Sequence, residues 1–270
     1  MLEQTVVPTG GRETALTAAR EAGTLLRERL DSSRRVEFKG TVDLVTDADR
    51  ASEALIAAHI RAEFPGHVIF GEEGTGGPAA TIDRSAYVWI IDPLDGTTNY
   101  AHGYPHFAVS IALEFRGQTV LGAVYDPMRN EMFVAEYGQG ATLNGLPISV
   151  SDTDLLIRSL LATGFPYDLD QRAENARMWD AFLNTTQGTR RDGAAALNLC
   201  YVAHGRLDGF WERPLQPWDL AAGALIVQEA GGTVTGYLSD DFDPFRREAI
   251  ASNGHLHEQM ARIIRRHASL

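Results

Sequence analysis

Asp92 and Asp95 stand three positions apart in the stretch Trp89-Ile-Ile-Asp-Pro-Leu-Asp-Gly-Thr-Thr-Asn-Tyr100. The apolar run Tyr87 to Ile91 reads as a strand that breaks at Asp92-Pro93. A turn there can aim both carboxylates at one point. Two converging carboxylates repel unless a cation or a proton lies between them. Gly96, Thr97 and Thr98 follow, residue types that leave backbone amides free at a turn or helix start. A cation site beside an anion site suits metal-assisted phosphate chemistry. Asp also favours turns for local reasons, so the pair needs partners from elsewhere in the chain.

Candidates for those partners occur on both sides in sequence. Glu72 and Glu73 sit between glycines after the short strand Val68 to Phe70. In isolation they read as a solvated hairpin tip. Asp219 follows Trp218 at the start of a strongly apolar helix, where a carboxylate also suits the helix dipole. Asp43, Asp47 and Asp49 lie before or within Thr46-Asp47-Ala48-Asp49, which has the form of a capping box. Each group lies where a strand meets a turn or a helix start, and open α/β sheets place ligands there. Oxygen donors without paired cysteines or spaced histidines favour a hard ion such as Mg²⁺ over zinc. His102 and His106 are four apart, but Gly103 and Pro105 disfavour a helix between them, so both are assigned to packing or surface.

The elements that must carry these residues alternate. Helical spacing runs from Arg12 to Leu30, and a second helix follows Thr46 until Pro65-Gly66. Val36 to Val45 reads as extended, and residues 75–86 as a mobile surface loop. Phe107 to Phe115, Thr119 to Tyr125 and Glu131 to Glu136 read as a β-meander. A boundary near Leu146 to Asp154 has no Gly/Ser-rich spacer. Beyond it come a strand at Leu155 to Thr163, helices at Gln171 to Thr185 and Ala194 to His204, and a strand at Leu207 to Glu212. A helix from Asp219 to Ala230, a strand at Ala249 to Ser252 and a helix from about His255 complete the chain. Interleaved strands and helices predict an α/β or α+β protein built in layers.

Bulk properties narrow the partners. The 270 residues suffice for a sizeable core in one large domain or two packed halves. A net charge of -12 argues against nucleic acid as the main partner, though not against a phosphorylated substrate screened by metal ions. The single cysteine, Cys200, excludes an intrachain disulfide and fits a reducing, cytoplasmic setting. No apolar run approaches the roughly 20 residues of a membrane span, so no membrane partner is expected.

With these residues laid out, the chain resembles the inositol monophosphatase family of lithium-sensitive, magnesium-dependent phosphatases. The stretch Trp89 to Tyr100 carries the resemblance, with Trp218-Asp-Leu-Ala-Ala-Gly-Ala-Leu-Ile-Val-Gln-Glu-Ala-Gly-Gly232. Val42-Asp-Leu-Val-Thr-Asp-Ala-Asp49 and Gly71-Glu-Glu73 support it. The resemblance implies an α-β-α-β-α layered sandwich of the inositol monophosphatase and fructose-bisphosphatase type, usually a homodimer. It also implies two to three Mg²⁺ ions per subunit and a small phosphorylated substrate.

Carried over by position, Glu72, Asp92 and the Leu94 carbonyl match ligands of a first metal, and Asp92, Asp95 and Asp219 those of a second. Glu72 also matches a third, weaker site. Asp49 and Thr97 match the pair that activates water, and the Gly96 and Thr97 amides a phosphate cradle. Glu212 matches a group that binds an inositol hydroxyl, and Gly193-Ala194-Ala195 a backbone wall of the sugar pocket. Lys39 and Asp43 match residues near the metals. On this view residues 1–146 form an N-terminal half with most metal ligands. Residues 147–270 form a half with the substrate pocket and one ligand.

Myo-inositol 1-phosphate is the leading expected substrate. Histidinol phosphate, fructose 1,6-bisphosphate, NADP and a 3'-phosphoadenosine nucleotide are alternatives, as is a regulatory role at the transcription machinery. Arg213 is expected to discriminate substrates, and Arg190-Arg191 reads as a solvated basic pair, or as a site for a second phosphate or an acidic surface partner.

Overall fold

The computed structural model describes residues 7–30, 36–38, 44–166 and 172–268. Helix α1 spans Gly11–Arg29, strands β1 and β2 span Val36–Phe38 and Leu44–Thr46, and α2 spans Asp47–Glu63. Strand β3 is Val68–Gly71, β4 Tyr87–Asp95, and the short helix α3 Thr97–Ala101. Then come β5 (Ala108–Phe115), β6 (Gln118–Asp126), β7 (Glu131–Glu136), β8 (Ala141–Leu143) and β9 (Leu146–Pro147). The remainder comprises β10 (Leu160–Thr163), α4 (Arg172–Leu183), β11 (Gly188–Arg190), α5 (Ala195–Ala203) and β12 (Gly209–Glu212). Helix α6 (Pro217–Glu229), β13 (Thr233–Thr235), β14 (Ala249–Ser252) and α7 (His257–His267) end the fold.

Strands β3 to β9 make one sheet in sequence order, parallel at β3–β4 and antiparallel beyond. A second sheet has the order β11-β10-β12-β14-β13. Three apolar clusters show how the layers stack. The small residues Ala15, Ala18, Ala19 and Ala22 of α1, with Ile56 and Ile60 of α2, pack on Trp89, Ile91 and Ile111 of the first sheet. Helices α5 and α6 fill the space between that sheet's other face, at Val88, Ile90 and Ala112, and the second sheet at Phe210 and Ala251. Helices α4 and α7 cover the far side at Leu161, Trp211 and Ile250. The order is therefore helix, sheet, helix, sheet, helix, as expected. Helix α6 is apolar all round because it faces a sheet on either side.

The central layers approach closely. A Cβ on Gly122 of β6 would lie 2.7 Å from the Ala222 carbonyl oxygen of α6. Gly122→Ala is expected to cost about 1–3 kcal/mol by prising helix from sheet, measured by urea unfolding. Unchanged stability would show that this contact is slack.

Several expectations need correction. The segment Leu155 to Thr163 is a 3₁₀ turn at Leu156–Arg158 followed by a four-residue strand. Strands β11 and β13 were not anticipated; each is three residues long, too short for a period to show. Glu72 and Glu73 are not at a hairpin tip, since β3 and β4 run parallel. The loop over residues 75–86 is on the surface but anchored. Arg84 makes a paired hydrogen bond at 2.7 and 2.8 Å to the buried Glu114 and lies over the Phe245 ring.

Candidate active site

The strand expected to end at Asp92-Pro93 continues to Asp95 through an irregularity. Asp92 pairs with Ser110 and Asp95 with Ala108, so three steps on β4 match two on β5. The extra residue is a bulge at Pro93, which has no N–H to give the ladder. Side chains three apart on a regular strand face opposite ways. Here Val88, Ile90 and Asp92 face the α5/α6 layer, the bulge turns Leu94 into the α1/α2 core, and Asp95 returns to the α5/α6 side. Asp92 and Asp95 thereby converge. Asp219 joins them from the first turn of α6, and one carboxylate oxygen of each lies within 4.8 Å of the others.

Other elements hold this centre. The Asp95 carboxylate accepts hydrogen bonds from the Ala195 and Ala196 amides, at 3.0 and 2.9 Å, at the start of α5. One Asp219 oxygen accepts the Gln216 amide at 2.7 Å, so the residue serves as a helix cap and as a member of the acidic group. The buried Asp49 of α2 accepts from the Thr97 hydroxyl at 3.1 Å, and the Leu94 carbonyl lies at the same distance from that hydroxyl. Asn99 donates to the His106 and Asp192 carbonyls, each at 2.8 Å, fixing α3 against the Gly193 turn. Gly193, at a φ of 83°, occupies the left-handed region. The Glu212 carboxylate at the end of β12 lies against Gly164, where an added Cβ would have to displace it.

Together these groups line a cavity of about 460 Å³. It is bordered by Glu72, Asp92, Leu94, Asp95, Gly96, Thr97, Gly193, Ala194, Ala195, Glu212 and Asp219. Asp49 does not line it; it reaches the cavity through Thr97. Lys39 and Asp43 lie outside the described residues.

The electrostatics suit a cation. Burial, then the charges of Glu72, Asp95 and Asp219, hold the Asp92 carboxyl well above the usual range. Burial, followed by Asp219, pushes Asp95 up to about 8, against the pull of the α5 amides. Burial likewise raises Asp219 to about 6 and Glu212 to about 8. Such a group costs the fold energy when ionised and is relieved by a divalent ion. An all-oxygen donor set fits Mg²⁺.

The sign of the pH dependence follows. Each folded value lies above its unfolded one, so the folded state holds more protons between the two. Stability of the metal-free protein therefore falls as pH rises from the ordinary Asp value of 3.8 toward about 8. Thermal unfolding in EDTA is expected to show this fall. Added Mg²⁺ is expected to raise the midpoint most at the alkaline end, where protons no longer compete. A midpoint that climbs with pH in EDTA contradicts the strained cluster.

Two basic residues near the cavity differ in where they point. Arg213 leaves the pocket: it hydrogen-bonds Glu174 at 2.8 Å, lies 3.6 Å from Glu248, and covers the Tyr237 ring. Arg191 instead lines the cavity and draws the Glu212 carboxyl downward, as does Arg247 for Asp219. Cys200 is fully buried in α5, with burial raising its thiol, and serves packing. His106 is buried, with burial lowering its pKa, and is remote from a zinc-like grouping.

Comparison with known proteins places this geometry. A model of the inositol monophosphatase family matches residues 10–269. The chain belongs to the inositol monophosphatase family. It is 48% identical over 229 residues to the Nus factor SuhB of Pseudomonas aeruginosa, covering 83% of this chain and 84% of that one. It is 43% identical over 254 residues to the inositol-1-monophosphatase of Synechocystis, covering 93% and 88%. The crystal structure of the extragenic suppressor protein suhB from Bartonella henselae superposes with a TM-score of 0.88 at 39% identity, covering 95% and 98%. Like its family, this inositol monophosphatase homologue is a metal-dependent phosphoric monoester hydrolase. Among the described residues no helix is long and apolar enough to cross a membrane.

Proposed function

We propose that the chain hydrolyses myo-inositol 1-phosphate, or a polyol phosphate of similar size, to the free alcohol and phosphate. The observation that carries this is the convergence of Asp92, Asp95 and Asp219 beside the Thr97–Asp49 pair, in a cavity walled by Glu212. Glu72, Asp92 and the Leu94 carbonyl would hold one Mg²⁺, and Asp92, Asp95 and Asp219 another, with Glu72 available to a third. Bound there, Mg²⁺ supplies positive charge for the phosphoryl oxygens and acidifies water.

The protein's own groups do the rest. The Thr97 hydroxyl donates to Asp49, so its lone pairs face the cavity and accept a hydrogen bond from the attacking water. As the water attacks phosphorus and the ester P–O bond breaks, the water's proton passes to Thr97 Oγ1 while the Thr97 proton passes to Asp49, and the polyol oxygen leaves with the bonding pair and takes a proton from solvent water. The Gly96 and Thr97 amides at the start of α3 receive phosphoryl oxygens. Glu212 accepts a hydroxyl of the polyol, and the Gly193-Ala194 backbone shapes the wall beside it.

Phosphate release from a panel of phosphomonoesters, with and without Mg²⁺, tests this reading. Mg²⁺-dependent turnover of myo-inositol 1-phosphate is expected, and activity confined to bisphosphates would overturn it. We further propose a cytoplasmic homodimer, for which light scattering should give twice the 29.5 kDa chain mass. The relative named a Nus factor raises a second role at the transcription machinery. That role adds to hydrolysis rather than replacing it, because the acidic group is complete.

A further inference from the structure

One face of α2 touches three separate parts of the site. Asp49, Ser52 and Glu53 fall at helical spacing on one side and are all buried, with exposures of 0%, 0% and 4%. Asp49 takes the Thr97 hydroxyl. The Ser52 hydroxyl donates to the Pro93 carbonyl, within the bulge, at 2.8 Å. Glu53 reaches the turn that carries Glu72. Its Oε2 accepts the Glu73 amide at 2.7 Å, and its Oε1 accepts the Thr75 amide at 3.1 Å and the Thr75 hydroxyl at 2.7 Å.

The Gly71 amide also closes that turn, donating to the Thr75 carbonyl at 2.9 Å. Gly71, Gly74, Gly76 and Gly77 bring no side chains, and the last three have positive φ. A Cβ on Gly71 would stand 2.5 Å from Glu53 Oε2, so glycine there is what admits the carboxylate. The Glu73 N–H shares its peptide plane with the Glu72 carbonyl. Holding that N–H therefore sets the direction from which the Glu72 side chain enters the cavity. Three donors on one buried carboxylate leave no room for a neutral amide, which would turn its own N–H₂ against one of them.

We propose that Glu53 is a positioning residue that sets the affinity of the site for its divalent cation by fixing the Glu72 turn. This rests on the proposed function for Glu72 as a ligand and Mg²⁺ as the ion. Groups that orient ligands are worth about 10–100-fold in metal affinity.

The test is calorimetric titration of Mg²⁺ into substrate-free, metal-stripped protein, paired with Mg²⁺ dependence of phosphate release. Glu53→Gln is expected to weaken Mg²⁺ binding about tenfold and to raise the half-activating Mg²⁺ concentration by a like factor. At saturating Mg²⁺ its kcat should return to within about threefold of wild type, with KM for the phosphomonoester unchanged. A residue that served only the fold would lower the melting temperature without this split. Folded Glu53→Gln with wild-type Mg²⁺ affinity overturns the proposal, as does a kcat that saturating Mg²⁺ fails to restore. Should Glu53→Gln not fold, Thr75→Val removes one of the three bonds and is expected to weaken binding about threefold; unchanged affinity there overturns it equally. Wild-type protein that binds no Mg²⁺ overturns the proposed function itself, a result distinct from an insensitive variant.

Discussion

Asp92→Asn is expected to lower kcat/KM by roughly a thousandfold or more, about 4 kcal/mol of transition-state stabilisation. The side chain is isosteric, and its Oδ1 can still accept the Leu94 amide, as Asp92 does at 2.9 Å. What is lost is the charge at the centre of the acidic group. The same loss should help the empty fold. Asp92 is 1% exposed and repelled by Glu72, Asp95 and Asp219, so in EDTA the variant is expected to melt at or above the wild-type temperature. Steady-state phosphate release and thermal unfolding read the two halves of this prediction. Near-normal turnover would remove Asp92 from the site, and a large drop in melting temperature would mean that its role is structural. Asp95 makes a less clean variant, because its carboxylate also anchors the Ala195 and Ala196 amides of α5.

Asp49→Asn is expected to lower kcat by about 10²–10⁴, the usual worth of a positioned base. Mg²⁺ affinity should hardly change, since Asp49 faces Thr97 and not the acidic group. Thr97→Ala should fall in the same range. Because the two act as one relay, the double variant should be no slower than the worse single one. Additive losses in single-turnover rates would show that the residues act separately, and the proton route through Thr97 would then be wrong.

Much of this site was readable in the sequence because its parts sit at element junctions with strong local signals. Asp219 and Glu72 have weaker local signals, which alone read as a helix-start acid and a solvated tip, and the motifs shared with the family single them out. The converging pair was read correctly from a wrong premise: a turn at Asp92-Pro93, where the chain instead continues as a bulged strand. Proline supports either reading locally, and only the partner strand decides between them.

Residues whose meaning depends on distant chain were harder to read. Glu53 carries no signal in sequence, because its partners at Glu73 and Thr75 belong to a loop without periodicity. Arg213 and Arg191 are both candidates in sequence to meet the substrate. Which of them enters the cavity turns on Glu174 and Glu248, acids far away in sequence that draw Arg213 aside. The fold's layers followed from alternation of strand and helix, whereas β11 and β13 exist only because a neighbouring strand offers them a ladder.

The bulge at Pro93 also sets how this chain tolerates a change of register. Continuing β4 past Asp92 one residue opposite one of β5, with none removed, would give an unbroken ladder, by ordinary criteria a better sheet. It would also swing Asp95 through half a turn, out of the acidic group and toward the α1/α2 core of Trp89, Ile91 and Ile111. A carboxylate stranded there would have neither cation nor donor. The enzyme thus depends on a flaw in its own ladder, and repairing that flaw would leave a neater sheet with nothing to catalyse.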